Sequence, residues 1–141
     1  MTVARVPLDP RSPGRFHAFL VAAMVPLFLG AWVSDYAYWS SHQIEWSNFA
    51  SWLIAGGLVF GAVALVCAAV GVARARGSGA WLIHAVVLLL TCVLGFINAL
   101  VHARDAWAVM PTGLVLSVIV TVLACASAWI AFANLRVGVT P

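Results

Sequence analysis

Polar side chains recur at one spacing in this chain. His17 and Asp35 are 18 residues apart, and so are His84 and His102. Eighteen residues make five turns of an α-helix, so the two members of each pair share one helix face and lie near its two ends. Asn98 falls on the same face as His84 and His102. The spacing predicts two helices that each carry polar groups near both ends.

Histidines placed in this way can ligate a metal or move protons. If the two helices run in the same direction, His17 and His84 face each other at one depth, as bis-histidine ligation of haem iron requires. Neutral imidazoles also relay protons or serve quinone chemistry. A plain interfacial or hydrogen-bonding role between helices remains open. We therefore take His17 and His84 as candidate ligands of a b-type haem iron, and we predict no catalytic residue.

The opposite helix ends bring a second polar group together. Asp35, Asn98 and His102 are expected to form a polar cluster there, either as an interhelical lock or as part of a functional site. His42 is interpreted as a solvated loop residue. Tryptophans near the helix ends are either interfacial residues or neighbours of a bound ring: Trp32, Trp81 and Trp107.

The elements that position these residues must be membrane helices. The chain has 141 residues, of which 65% are hydrophobic and 8% are charged, whereas soluble domains are about a quarter charged. The net charge of +3 forms no basic patch, which excludes nucleic-acid binding. Uncharged runs long enough to cross a bilayer span residues 16–38, 48–73, 80–102 and 112–135.

These runs predict an all-α integral membrane protein, an up-down-up-down bundle of four transmembrane helices over residues 16–135. Residues 1–15 and 136–141 form the tails. Six of the seven arginines fall in the tails and in the connection between the second and third spans, and Arg104 alone lies on the other side. By the positive-inside rule, both termini face the cytoplasm of a bacterial inner membrane.

Small residues predict the packing seams between these helices, because they allow close backbone approach. The second span has one such stripe at Gly57, Gly61, Ala64, Ala68 and Gly71. The fourth span has another at Ser117, Thr121, Ala124 and Ala128. Cys67, Cys92 and Cys125 fall inside spans and are interpreted as small packing residues rather than as a metal or disulfide framework.

Short stretches along nearly the whole chain resemble the bacterial four-span membrane proteins of domain-of-unknown-function family 2231. The stretches are His17-Ala18-Phe19-Leu20-Val21, Asp35, residues 52–57, Leu82-Ile83-His84-Ala85, Phe96-Ile97-Asn98 and residues 135–139. The resemblance carries over His17, Asp35, His84 and Asn98. Family members usually have His-Pro at the start of the first span and an acid at the end of the second, where this chain has Ala18 and Arg74. Some members of the family resemble proteins in which this domain is fused to a Rieske-type iron–sulfur domain. The resemblance therefore implies that the family acts beside respiratory electron transfer.

Two functions are consistent with these residues and their spacing. The first is an electron-transfer or quinone-linked subunit that binds haem b through His17 and His84 and meets a membrane redox partner or quinone. The second is a non-catalytic structural or assembly subunit, or an anchor of a larger complex. Neither makes the chain an enzyme on its own, and a homo-oligomer remains open. A transporter is least favoured, because no charged residue is expected at mid-membrane.

Overall fold

The computed structural model describes residues 14–74 and 79–135, which form four long helices. These are α1 (Arg15–Ser41), α2 (Ile44–Arg74), α3 (Gly79–His102) and α4 (Thr112–Leu135). All four are long and apolar enough to cross a membrane. The shortest have 24 residues, and a helix of that length rises about 36 Å, more than the hydrocarbon thickness. The predicted all-α, four-span fold is confirmed.

The helices pack in the order expected for an up-down bundle. Both α1 and α3 pack against α2 and α4, so α1 and α3 lie diagonally opposite each other. Alternate helices of such a bundle run in the same direction, so α1 and α3 begin at the same end of the bundle. The buried apolar centre is built from all four helices, with Met24, Phe28, Ile54, Leu88 and Val120 among its members.

The connection between α1 and α2 is only two residues long, His42 and Gln43. His42 adopts the left-handed conformation with φ 58°, and its backbone N–H donates to the Tyr38 carbonyl at 2.8 Å. Helix α2 begins at Ile44, about four residues before the start of the uncharged run. Hydropathy marks only the apolar part of a helix, and the polar first turn around Glu45 continues beyond it. His42 is exposed and takes no part in the polar clusters.

The glycines of α2 receive the side chains of neighbouring helices. The Phe28 ring occupies the space where a Cβ on Gly57 would lie, since that atom would be 2.8 Å from Phe28 Cζ. A Cβ on Gly95 of α3 would lie 3.4 Å from the same ring atom. Phe28 is therefore held between α2 and α3, and the predicted α2 seam lies inside the bundle.

Candidate functional site: two buried polar clusters

The two histidines at the start of α1 and α3 meet in the core. His17 and His84 are 4% and 1% exposed, and their Nε2 atoms are 2.8 Å apart. The rings are nearly perpendicular, with an interplanar angle of 82° and centroids 5.0 Å apart. We call these two residues the imidazole pair. The structure thus brings His17 and His84 together, as the sequence predicts.

The pair is incompletely hydrogen-bonded. One proton between the two Nε2 atoms forms the bond, so one ring carries its proton on Nε2 and the other on Nδ1. Within residues 14–74 and 79–135, neither Nδ1 atom has a hydrogen-bond partner, although both are buried. One buried N–H and one buried lone pair therefore lack a partner in the described part of the chain, and leaving a buried polar group unsatisfied costs about 1–3 kcal/mol.

The spacing of the pair does not fit a b-type haem. Metal–imidazole bonds are about 2.0 Å long, so two axial nitrogens must stand about 4 Å apart with a flat ring between them, whereas these atoms are 2.8 Å apart and hydrogen-bonded to each other. Ligating histidines usually donate their second ring N–H to an acceptor, and neither Nδ1 atom has one among the residues that the structure describes. The residue types match the hypothesis of haem ligation, but their geometry does not.

Trp81 lies against the imidazole pair. Its ring centroid is 6.0 Å from that of His17 and 6.4 Å from that of His84. It also fills the space over Gly71, where a Cβ would lie 2.7 Å from the indole. Trp32 and Trp107 are instead exposed, at 38% and 87%. Of the three tryptophans considered from the sequence, only Trp81 flanks the histidines.

A second cluster lies about five helical turns away, near the other end of the bundle. Asp35 is fully buried, and its Oδ1 is 2.8 Å from Nε2 of His102. Its Oδ2 accepts a 2.5 Å hydrogen bond from the Ser117 hydroxyl, which in turn accepts one from the Asn98 amide at 2.8 Å. We call Asp35, Asn98, His102 and Ser117 the carboxylate cluster. It joins α1, α3 and α4, and it contains all three residues predicted for this end.

Hydrogen-bond geometry settles how protons are shared in the carboxylate cluster. Nδ1 of His102 lies 3.0 Å from the Asn98 backbone carbonyl, which can only accept, so this nitrogen carries a proton. One further proton lies between His102 Nε2 and Asp35 Oδ1, and the pair is neutral as a whole. Both ring nitrogens are occupied, so His102 has no free lone pair with which to act as a general base.

Two hydroxyl-bearing residues of α4 take part in hydrogen bonds that the sequence did not predict. Ser117 was assigned to a packing seam, yet it donates to Asp35. Thr121, one turn further along α4, donates to the Phe28 carbonyl at 3.0 Å and to the Ser117 carbonyl at 2.7 Å. A buried carboxylate needs a hydrogen-bond donor for each of its oxygens. The serine hydroxyl among the small residues of α4 was the sequence feature that could have predicted this donor.

Comparison with known proteins is consistent with this architecture. No curated protein and no solved structure matches the chain. A family model described as a predicted membrane protein, DUF2231, matches residues 14–138. This match covers all four helices and both polar clusters. The chain therefore belongs to the DUF2231 family of predicted membrane proteins.

Proposed function

We propose that this protein is a non-catalytic membrane scaffold, a four-helix anchor or assembly subunit that receives a helix of a partner membrane protein. The observation that carries the proposal is a stripe of small residues on the outward face of α2. Ala55, Ala62 and Ala69 are exposed and seven residues apart, with Val59 and Val66 exposed between them at 65% and 64%. Alanines at heptad spacing allow the backbone of another helix to approach closely.

The carboxylate cluster supports the same proposal. Its acid, imidazole and hydroxyl groups bind one another, so they hold α1, α3 and α4 together instead of facing a substrate. The glycine-rich seam of α2 and the hydroxyl-bearing seam of α4, both predicted from the sequence, pack against other helices of the same bundle. The α2 stripe is a further surface, directed away from the core.

Purification in mild detergent tests the scaffold. An affinity-tagged chain should bring down a membrane protein whose recovery falls at least tenfold in Ala62→Leu, because leucine fills the stripe. The matched control is Ala22→Leu, which makes the same change at an exposed position of α1. Equal recovery in the two variants would refute the proposal, and cross-linking to a second copy of the chain would identify a homo-oligomer as the occupant.

A second candidate is an electron-transfer or quinone-linked subunit that binds a b-type haem through His17 and His84. The meeting of two imidazoles from diagonal helices favours it, whereas the 2.8 Å spacing requires the two nitrogens to separate by more than about 1 Å. Reduced-minus-oxidised spectra of protein expressed with a haem supply distinguish the candidates. The scaffold predicts no Soret band, and haem ligation predicts one that is lost in His17→Ala and His84→Ala.

We further propose that the protein lies in a bacterial cytoplasmic membrane with both termini in the cytoplasm. The support is the placement of arginines, including Arg15 at the start of α1 and Arg74 at the end of α2, which lie at the same end of the bundle. Reporter fusions at the C-terminus test the orientation. A fusion active only in the cytoplasm is expected, and activity only outside would reverse the assignment.

A further inference from the structure

The two rings of the imidazole pair meet head-on. Their Nε2 atoms are 2.8 Å apart and their centroids 5.0 Å apart. The centre of an imidazole ring lies about 1.1 Å from its nitrogens, so centroids about 5.0 Å apart are the largest separation that this nitrogen distance allows. It is reached only when both ring centres and both nitrogens lie on one line. The Nε2 lone-pair axes of His17 and His84 therefore nearly coincide.

Two nitrogens that face each other on one line form a particular ligand set. Copper(I) accepts two ligands in a linear arrangement, whereas zinc in proteins takes four in a tetrahedron. In the part of the chain that the structure describes, no group of three or more histidine, cysteine, aspartate or glutamate side chains is placed to share an ion. The donor set of the pair therefore fits a two-coordinate ion better than zinc.

The surroundings of the pair favour an ion of single charge. Both histidines are buried, and the cost of burying an ion rises with the square of its charge. A ligating imidazole becomes more basic when its second N–H has an acceptor, and neither Nδ1 atom has one among residues 14–74 and 79–135. Two neutral, weakly basic imidazoles suit copper(I) better than a divalent ion.

Trp81 adds an electrostatic contribution at the same place. Its ring centroid is 6.0 Å from that of His17 and 6.4 Å from that of His84. With the two imidazole centroids 5.0 Å apart, the point midway between them is about 5.7 Å from the indole centroid, within the range of about 6 Å for a cation–π interaction. A cation held between the two Nε2 atoms would therefore lie within reach of an aromatic ring.

We propose that His17 and His84 bind one copper(I) ion between their Nε2 atoms. The ion takes the place of the shared proton. On balance, one ring moves its proton from Nε2 to its bare Nδ1, while the other ring already carries its proton on Nδ1. Two nitrogen–copper bonds form, no proton is gained or lost, and the copper keeps its oxidation state. This site goes beyond the scaffold function and does not depend on it.

Binding requires a small displacement of the two rings. Metal–imidazole bonds of about 2 Å place the nitrogens about 4 Å apart, so each ring must retreat by about 0.6 Å from the present 2.8 Å contact. His17 is the third residue of α1, and Trp81, which borders the pair, is only half-buried. The side chain beside the pair can therefore shift outward, and a single ion needs no room for a flat macrocycle.

Copper binding by the purified chain in detergent tests the site. Copper(I) is supplied under anaerobic, reducing conditions, and the coloured chelator bicinchoninate competes for it. The wild-type chain should withdraw one equivalent from the chelator, and His17→Leu should lower the affinity at least thirtyfold. His42→Leu is the matched control, since it makes the same change at an exposed histidine and should leave the affinity unchanged.

His17→Met separates ligation from a structural effect. Leucine and methionine have similar volumes and both lack the imidazole hydrogen bond, but only methionine offers a thioether, which copper(I) accepts as a ligand. His17→Met should therefore bind copper(I) at least tenfold more tightly than His17→Leu. Equal affinities in these two variants would overturn the proposal, and so would a His17→Leu chain that binds as tightly as the wild type.

Spectroscopy identifies the ligands directly. X-ray absorption of the copper(I) complex should show two nitrogen neighbours at about 2 Å, and sulfur neighbours would assign the ion to the cysteines and overturn the proposal. Silver(I), a stable ion of the same charge, should convert both ¹⁵N-labelled rings to the tautomer protonated on Nδ1. Two different tautomers in the silver complex, or a haem Soret band that depends on His17, would contradict the site. Partner recovery in detergent is a separate measurement, so the scaffold proposal is tested independently.

Discussion

Asp35 Oδ1 and His102 Nε2 lie 2.8 Å apart across the diagonal of the bundle. A carboxylate and an imidazole thus neutralise each other between two helices that are not packed side by side. Removing one member of a buried pair strands the other in a medium without water, which is where charge is least tolerated. The stability of the bundle should therefore depend strongly on this contact.

Asp35→Ala should lower the free energy of unfolding by about 2–4 kcal/mol, because His102 and Ser117 lose their shared partner. Asp35→Asn should retain most of the stability, since the amide can donate to His102 Nε2 while its oxygen accepts from Ser117. Unfolding in mixed detergent micelles, followed by circular dichroism, measures both. An asparagine variant as unstable as the alanine variant would contradict this proton assignment.

The hydroxyl of Ser117 should be energetically coupled to Asp35. Ser117→Ala combined with Asp35→Ala should be less destabilising than the sum of the single changes, with a coupling free energy of about 1–2 kcal/mol. A double-mutant cycle in the same micelles gives this value. Ser40→Ala serves as the control, because the Ser40 hydroxyl is exposed and bonds its own helix; its cycle with Asp35→Ala should show no coupling.

Gly57→Ala should destabilise the protein by about 1–3 kcal/mol, because the new methyl group would lie 2.8 Å from the buried Phe28 ring. Gly56→Ala is the matched control, since its Cβ would make an ordinary 3.5 Å contact with Leu27. The control should be neutral or slightly stabilising, as alanine favours helix over glycine. Phe28→Leu in the Gly57→Ala background should recover part of the loss, and equal effects of the two glycine changes would argue against close packing at Gly57.

The imidazole pair should give a distinct nuclear magnetic resonance signature. In protein labelled with ¹⁵N-histidine, the Nε2 atoms of His17 and His84 should show scalar coupling across their shared proton, and the two rings should differ in tautomer. His42→Gln removes only the resonances of an exposed histidine and should leave the coupling in place. His84→Phe should abolish it. Absence of the coupling in the wild-type protein would show that the rings do not share a proton.

The sequence was sufficient for the fold and for the identity of the main polar residues. Charge-free runs and the 18-residue spacing predict the four helices and bring His17 to His84 and Asp35 to His102, because helix periodicity and bilayer thickness leave little freedom. Spacing gives no distance, however, so it could not distinguish a directly bonded imidazole pair from one that is separated by a metal and its ring.

Burial was the harder property to predict. Asp35 lies near the end of the first apolar run, residues 16–38, and this position does not indicate whether its side chain is buried. In the structure α1 continues to Ser41, and Asp35 is fully buried within it.

The two-residue connection at His42 and Gln43 has a consequence for biosynthesis. It obliges α1 and α2 to enter the bilayer together as a hairpin, whereas the partners of Asp35 are translated 67 and 82 residues later. The nascent hairpin therefore carries an acid without its final partners until both later helices arrive. Insertion of α4 brings the Ser117 hydroxyl to the second oxygen of Asp35, so the hydrogen bonding of this buried acid is completed only after the other three helices have been synthesised.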